Sequence, residues 1–118
     1  MSEGITREKL ISISMQVILH AGNAKDFAYD AIKKSKEGKV EESNKLLESA
    51  NDEVTKAHQY QTNTLQLEAE GEEIPYLALF GHAQDTLMTT QSEVSLIKQM
   101  VEILNDKTGK ENEKWWIL

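Results

Sequence analysis

Three histidines and no cysteine bound the chemistry open to this 118-residue chain. Without a thiol there is no disulfide, no cysteine-based zinc site and no thiol catalysis. The sequence also has no glycine-rich phosphate loop, no His/Glu zinc spacing and no serine nucleophile elbow. The nucleophiles that remain are the imidazoles of His20, His58 and His82. An imidazole can accept a transferable group, or it can be an ordinary surface side chain. His82 is set apart by its company. Asp85 follows it three residues later, a neighbouring position on a helix. Between Tyr76 and Ile97 the only formal charges are Asp85 and Glu93.

These residues need elements to position them, and the apolar periodicity supplies three. Leu10, Ile13, Val17, Ala21, Ala24, Ala28 and Ala31 recur in steps of three and four. They predict a first helix from Thr6, an N-cap residue, to Lys36, closed by Gly38. Ile11, Met15 and Ile18 widen its apolar stripe, so its N-terminal half is expected to be buried. Gly22 costs about 1 kcal/mol relative to Ala in mid-helix, and close approach of a neighbour would explain it. Leu46, Leu47, Ala50, Val54, Ala57 and Gln61 predict a second helix over 40–69, followed by a turn at Gly71. Phe80, Ala83, Leu87, Thr90, Val94, Ile97, Val101 and Leu104 form an unbroken heptad seam. They predict a third helix from Pro75, a favoured first-turn residue, to Asn105. Short connections make the three an antiparallel up-down-up bundle, an all-α fold occupying residues 1–105. Residues 106–118 read as a C-terminal extension, loose to Lys114. Its apolar end, Trp115-Trp116-Ile117-Leu118, is expected to fold back or to meet another subunit.

A surface helix ordinarily places lysine and glutamate opposite its core stripe. The third helix instead places Gly81, His82, Asp85, Met88, Thr89, Ser92, Ser95 and Leu96 there. Small and weakly polar residues in that position imply a covered face. A three-helix bundle has no fourth helix to cover it, so another copy of the chain is expected to do so. Copies of Asp85 then converge, and like charges that close do not all stay ionised without a counter-ion. A hard divalent cation, Mg2+ foremost, answers that need through oxygen ligands. A solvated or lysine-paired Asp85 is the alternative reading.

The formal net charge of −7 disfavours nucleic acid and anionic membranes as partners. The apolar run from Leu10 to Leu19 is broken by Ser12, Ser14 and Gln16 and is too short to span a bilayer. No positively charged leader opens the sequence. The expectation is a cytoplasmic protein.

Gly81-His82-Ala83-Gln84-Asp85-Thr86-Leu87-Met88 resembles the active-site helix of the lactose/cellobiose-type IIA components of the bacterial sugar phosphotransferase system. Two further blocks agree with that family, Ile18-Leu19-His20-Ala21-Gly22-Asn23-Ala24 and Ala57-His58-Gln59-Tyr60-Gln61-Thr62. The resemblance covers residues 10–104. It implies a homotrimer of three-helix bundles. It implies that His82 accepts a phosphoryl group from HPr and passes it to a cysteine of the IIB component. It also implies that Asp85 lies at the trimer axis with a divalent metal, and that Gln84 contacts the phosphoryl group or a partner. Thr89 is a further candidate to steady the phosphoryl oxygens. Thr86 departs from the family, which usually carries a second histidine there, and the tail ending in Trp115-Trp116 extends past the usual end. Two rival readings remain beside the resemblance. One is a non-enzymatic helical adaptor with His82 incidental. The other is a histidine phosphotransfer signalling domain, disfavoured because the nearest following lysine is Lys98. The residues do not say which sugar is transported.

Overall fold

The computed structural model describes residues 4–112, with side chains through Lys107. It contains three helices, α1 (Arg7–Lys36), α2 (Val40–Ala69) and α3 (Ala78–Asn112), and no strand among the described residues. The up-down-up bundle is the expected one.

Local sequence chemistry sets the ends. Thr6 is extended (φ −73°, ψ 159°), and its hydroxyl accepts from the Lys9 N–H at 3.1 Å. A cap of this kind stabilises a helix by about 1 kcal/mol. Both inter-helix turns use the same closure. At the end of α1, Gly38 has φ +78°. Its N–H donates to the Ser35 carbonyl, and the Lys39 N–H donates to Lys34. At the end of α2, Gly71 has φ +100°. Gly71 N–H donates to Glu68 and Glu72 N–H to Leu67. This crossed pair satisfies carbonyls that the helix leaves open, and its pivot is a left-handed residue that glycine adopts without strain.

The two ends of α3 differ from expectation. The helix starts at Ala78, so Pro75, Tyr76 and Leu77 belong to the connection. The Leu77 carbonyl accepts from both Phe80 and Gly81 and opens the helix. The connection itself is engaged elsewhere, because Ile5 N–H donates to the Glu73 carbonyl at 3.1 Å. At the other end the helix runs through Gly109 to Asn112 rather than stopping at Asn105. One glycine within a helix costs about 1 kcal/mol. Lys107 before it is a good helix former. Of the expected loose extension, 106–112 is therefore helical. Trp115-Trp116-Ile117-Leu118 lies outside the described residues.

The core is one seam in two clusters. Val17, Ala57, Ala83 and Leu87 form the first, flanked by Ile13, Ile18 and Val54. Ala28, Ala31, Ala50, Ile97 and Val101 form the second, flanked by Phe27, Leu46 and Val94. Every residue of the α3 heptad seam is buried or half-buried. Burying a leucine such as Leu10 or Leu87 stabilises by about 1.5–3 kcal/mol. The expected burial of the α1 N-terminal half holds only on one side, for Met15 and Leu19 are 51% and 52% exposed. Nothing lies within 4 Å of a Cβ built on Gly22, so no neighbour within the chain accounts for that glycine.

Polar side chains fix the register at one end and along the seams. Ser35 of α1 donates to Asn105 Oδ1 at 2.6 Å, and Asn105 Nδ2 donates to Ser43 of α2 at 3.2 Å. One amide thus ties all three helices together. Midway, His20 Nδ1 of α1 meets Glu53 Oε2 of α2 at 2.5 Å, with its ring stacked on Tyr60. Tyr29 of α1 donates to Glu93 of α3, and Lys25 lies 3.6 Å from the same carboxylate. Helix α1 packs along both partners, whereas α2 and α3 meet over a shorter stretch. Between them opens a groove of about 920 Å3 lined by residues including Leu47, Val54, Val94, Lys45 and Lys98.

Candidate functional site

His82 is the fifth residue of α3, and its side chain is exposed. A helical side chain leans toward the N-terminus of its helix, so this imidazole overlies the first turn. That turn carries the positive end of the helix dipole, although the Phe80 and Gly81 N–H groups already donate to Leu77. It contains no acidic residue. An anion formed on His82 therefore meets a favourable field. The later start of α3 sharpens this, because a helix begun at Pro75 would leave His82 a turn further from the positive end.

The three histidines sort themselves by their partners. His20 is committed to Glu53 and to the Tyr60 ring, with 17% of its side chain exposed. His58 is exposed, and its Nδ1 shares a hydrogen bond with Thr62 at 3.0 Å. Among the described residues, the His82 ring alone makes no hydrogen bond or ion pair within its chain. A neutral imidazole with both nitrogens unengaged is free to attack an electrophile.

The other predicted residues are placed unevenly around it. Asp85 lies one turn along, exposed on the outer side of α3. Thr89 follows on the same side, but its hydroxyl donates to the carbonyls of Asp85 and Thr86 at 2.9 and 3.1 Å. To steady a phosphoryl oxygen, that hydroxyl must rotate away from the backbone. Thr86 is likewise turned inward and donates to the His82 carbonyl at 2.8 Å. Gln84 is half-buried, two residues from His82 and so on the other side of the helix. Within one chain Gln84 does not converge with His82. Among the described residues no cluster of three His, Asp or Glu is placed to hold a metal ion.

The surroundings that the periodicity left unremarked lie on α1. Val17 shares a cluster with Ala83 and Leu87, which sets Met15 and Leu19 beside the N-terminal stretch of α3 that carries His82. Glu93, three turns beyond His82 and on the same side, touches Tyr29 and Lys25 of α1. The strip bearing His82 therefore borders α1. Met15 and Leu19 of α1 and Met88 of α3 are half-exposed apolar side chains. Gly81 and Gly22 both face open space. The signal in the sequence was an excess of apolar residues on α1 beyond those its own bundle needs. No helix among the described residues is long and apolar enough to cross a membrane.

Comparison with known proteins agrees with this arrangement. Residues 12–105 match the family described as "PTS system, Lactose/Cellobiose specific IIA subunit". The lichenan-specific phosphotransferase enzyme IIA component of Bacillus subtilis is 40% identical over 96 residues, covering 81% of this chain and 87% of that protein. The lactose-specific EIIA component of Staphylococcus epidermidis is 32% identical, covering 84% and 95%. The crystal structure of PtcA from S. mutans superposes with a TM-score of 0.81 at 36% identity, over 85% of this chain and 98% of that one. That of the cellobiose-specific enzyme IIA from Bacillus anthracis gives 0.73 at 33% identity, over 93% and 95%. The chain belongs to the lactose/cellobiose-specific IIA subunits of the phosphotransferase system, and it is a phosphocarrier component of a sugar-specific system of that family.

Proposed function

We propose that His82 is the phosphoryl acceptor, loaded by the phosphohistidine of HPr and unloaded onto a cysteine of a IIB component. The observation that carries this is an exposed imidazole, uncommitted within its chain, over the positive end of α3. The lone pair of one ring nitrogen attacks phosphorus in line while the P–N bond of the donor breaks. In the second transfer a thiolate attacks, and the P–N bond at His82 breaks in turn. The phosphoryl group itself carries most of the chemistry, so the protein contributes position and charge stabilisation. Met15 and Leu19 supply an apolar surface for a visiting protein, and the net negative charge favours a partner with a basic rim.

The chain works as a cytoplasmic homotrimer in this reading. Asp85, Met88, Ser92, Leu96 and Ile103 share the outer face of α3, and all are exposed in the single chain. Leu96 and Ile103 are 62% and 68% exposed. Three copies packed on that face cover them and bring three Asp85 carboxylates together. One carboxylate per chain is too little to hold a cation, whereas three converging ones offer the hard oxygen donors that Mg2+ takes. Gln84 reaches a phosphoryl group only across such a contact, on the histidine of a neighbour.

The test is phosphorylation by phospho-HPr, with the labelled residue mapped. Label on His82, and none on His82→Ala, is the expected result. Full labelling of that variant moves the role to His20 or His58. Asp85→Leu should change the association constant and abolish its response to Mg2+. An unchanged constant with an unchanged metal response removes the axial cation.

A further inference from the structure

We propose that Tyr76 anchors the phosphoryl donor on this chain: its ring, set among carboxylates, receives a basic side chain of HPr while that protein delivers its phosphoryl group to His82. This rests on the reading of His82 as the phosphoryl acceptor.

The three tyrosines sort by their partners as the histidines do. Tyr29 donates to Glu93, and Tyr60 stacks on His20. Tyr76 has no such partner among the described residues and is 93% exposed. Its backbone is nevertheless held. Ile5 N–H ties the connection back by donating to the Glu73 carbonyl at 3.1 Å. Pro75 fixes its own φ, and Ile74, Pro75 and Leu77, on either side of Tyr76, are half-buried. A tyrosine displayed on a fixed backbone offers a large contact area with only two side-chain torsions to order. Side chains of this kind carry a disproportionate share of binding energy at protein interfaces.

Reach links Tyr76 to His82. Ala78, the first residue of α3, comes two residues after Tyr76 and four before His82. Two Cα steps and one turn of helix keep the two residues within about 14 Å of each other. An ordinary partner footprint of about 800 Å2 has a radius of about 16 Å. A protein seated on His82 therefore reaches the ring with an interface of usual size.

Charge names the kind of partner. No lysine or arginine occurs between Lys56 and Lys98. That stretch holds the C-terminal part of α2, the connection and the N-terminal half of α3. Glu72 and Glu73 stand just before Tyr76, and neither forms an ion pair among the described residues. Free carboxylates beside an aromatic face steer a guanidinium or ammonium group toward it, and the ring face then receives the cation. The match is a basic protein surface.

The test uses the full-length protein and phosphorylated HPr, with the initial rate of labelling followed against donor concentration. Tyr76→Ala should raise the half-saturating donor concentration about tenfold and leave the saturating rate and the melting temperature unchanged. Tyr76→Phe and Tyr76→Trp keep a ring face and should stay within about threefold of the parent. Glu72→Gln combined with Glu73→Gln should weaken donor binding and flatten its dependence on salt. An unchanged half-saturating concentration in Tyr76→Ala, or an equal loss in Tyr76→Phe, overturns the proposal. So does a shifted association midpoint in Tyr76→Ala, which assigns the ring to a contact between copies. Normal loading with slowed transfer to IIB assigns it to the acceptor and overturns the proposal as well. A parent chain that takes no label on His82 overturns the reading of that histidine together with this one, whereas a labelled parent indifferent to Tyr76 overturns this one alone.

Discussion

Asn105→Ala should destabilise the bundle by about 2–6 kcal/mol. The amide of Asn105 accepts from Ser35 at 2.6 Å and donates to Ser43 at 3.2 Å. Each such bond contributes about 0.5–1.5 kcal/mol net. Ser43 keeps a second partner, the Val40 carbonyl at 2.7 Å, so its hydroxyl is not stranded. Ser35 is 1% exposed and would be left with a buried unpaired donor, which costs about 1–3 kcal/mol more. For a chain of this length each kcal/mol moves the melting temperature by roughly 4 °C, so a fall of about 8 °C or more is expected. The assay is thermal or urea unfolding at one fixed protein concentration, because association shifts apparent stability. The double variant Ser35→Ala, Asn105→Leu provides the control. It removes both partners, strands no donor and should recover much of the loss. If Asn105→Ala melts within 2 °C of the parent, or the double variant is worse than the single, the amide is not what joins the three helices.

Three further outcomes follow from side chains named above. The Tyr29 phenol is pushed above its ordinary value of 10.0, first by its hydrogen bond to Glu93, then by burial, then by the Glu93 charge. A raised value means the link to α3 is complete below pH 10 and lost as pH climbs through the shifted titration. Tyrosinate absorbance should show one late-titrating residue, absent in Tyr29→Phe and returned toward 10 in Glu93→Gln. Three tyrosines titrating together would contradict it. Gly22→Ala should raise stability by about 0.5–1 kcal/mol, since Gly22 is helical, exposed and open around its Cβ position. Calorimetry reads the gain, and a loss would mean that something not visible within one chain sits against it. His20 and Glu53 are 17% and 15% exposed, so a double-mutant cycle with His20→Ala and Glu53→Ala should return a coupling of about 1 kcal/mol or more. Additive effects would mark the pair as incidental.

Much of the bundle was legible because its signals are repetitive. The α3 seam from Phe80 to Leu104 repeats without a slip, and each of its members is buried or half-buried. Gly38 and Gly71 announced turns that the backbone could close in only a few ways. The ends of α3 were harder. Pro75 is as compatible with a connection as with a first turn, and what decided it was Ile5 reaching Glu73, a contact between residues far apart in sequence. At Gly109 a local breaker was overridden by the helix on either side. The site was legible in parts. Its motif marked His82, and its composition marked the outer face of α3. The commitments of His20 to Glu53 and of Thr89 to its own helix are matters of side-chain direction, which spacing alone does not convey. Met15 was read as core because apolar periodicity does not distinguish the face turned to the bundle from a face turned to a partner.

The seam of α1 reads Ala21, Ala24, Ala28 and Ala31, all fully buried, and Ala50, Ala57 and Ala83 face it at 0% exposure. Side chains this small let the helix backbones themselves set how near the axes come. Such an interior inverts the usual mutational asymmetry of proteins. A leucine core is damaged by truncation, whereas here little can be removed and any added carbon must wedge two backbones apart. Substitutions such as Ala24→Val or Ala28→Leu should therefore be the most damaging in the molecule, and natural drift along this seam should be confined to alanine, serine and glycine.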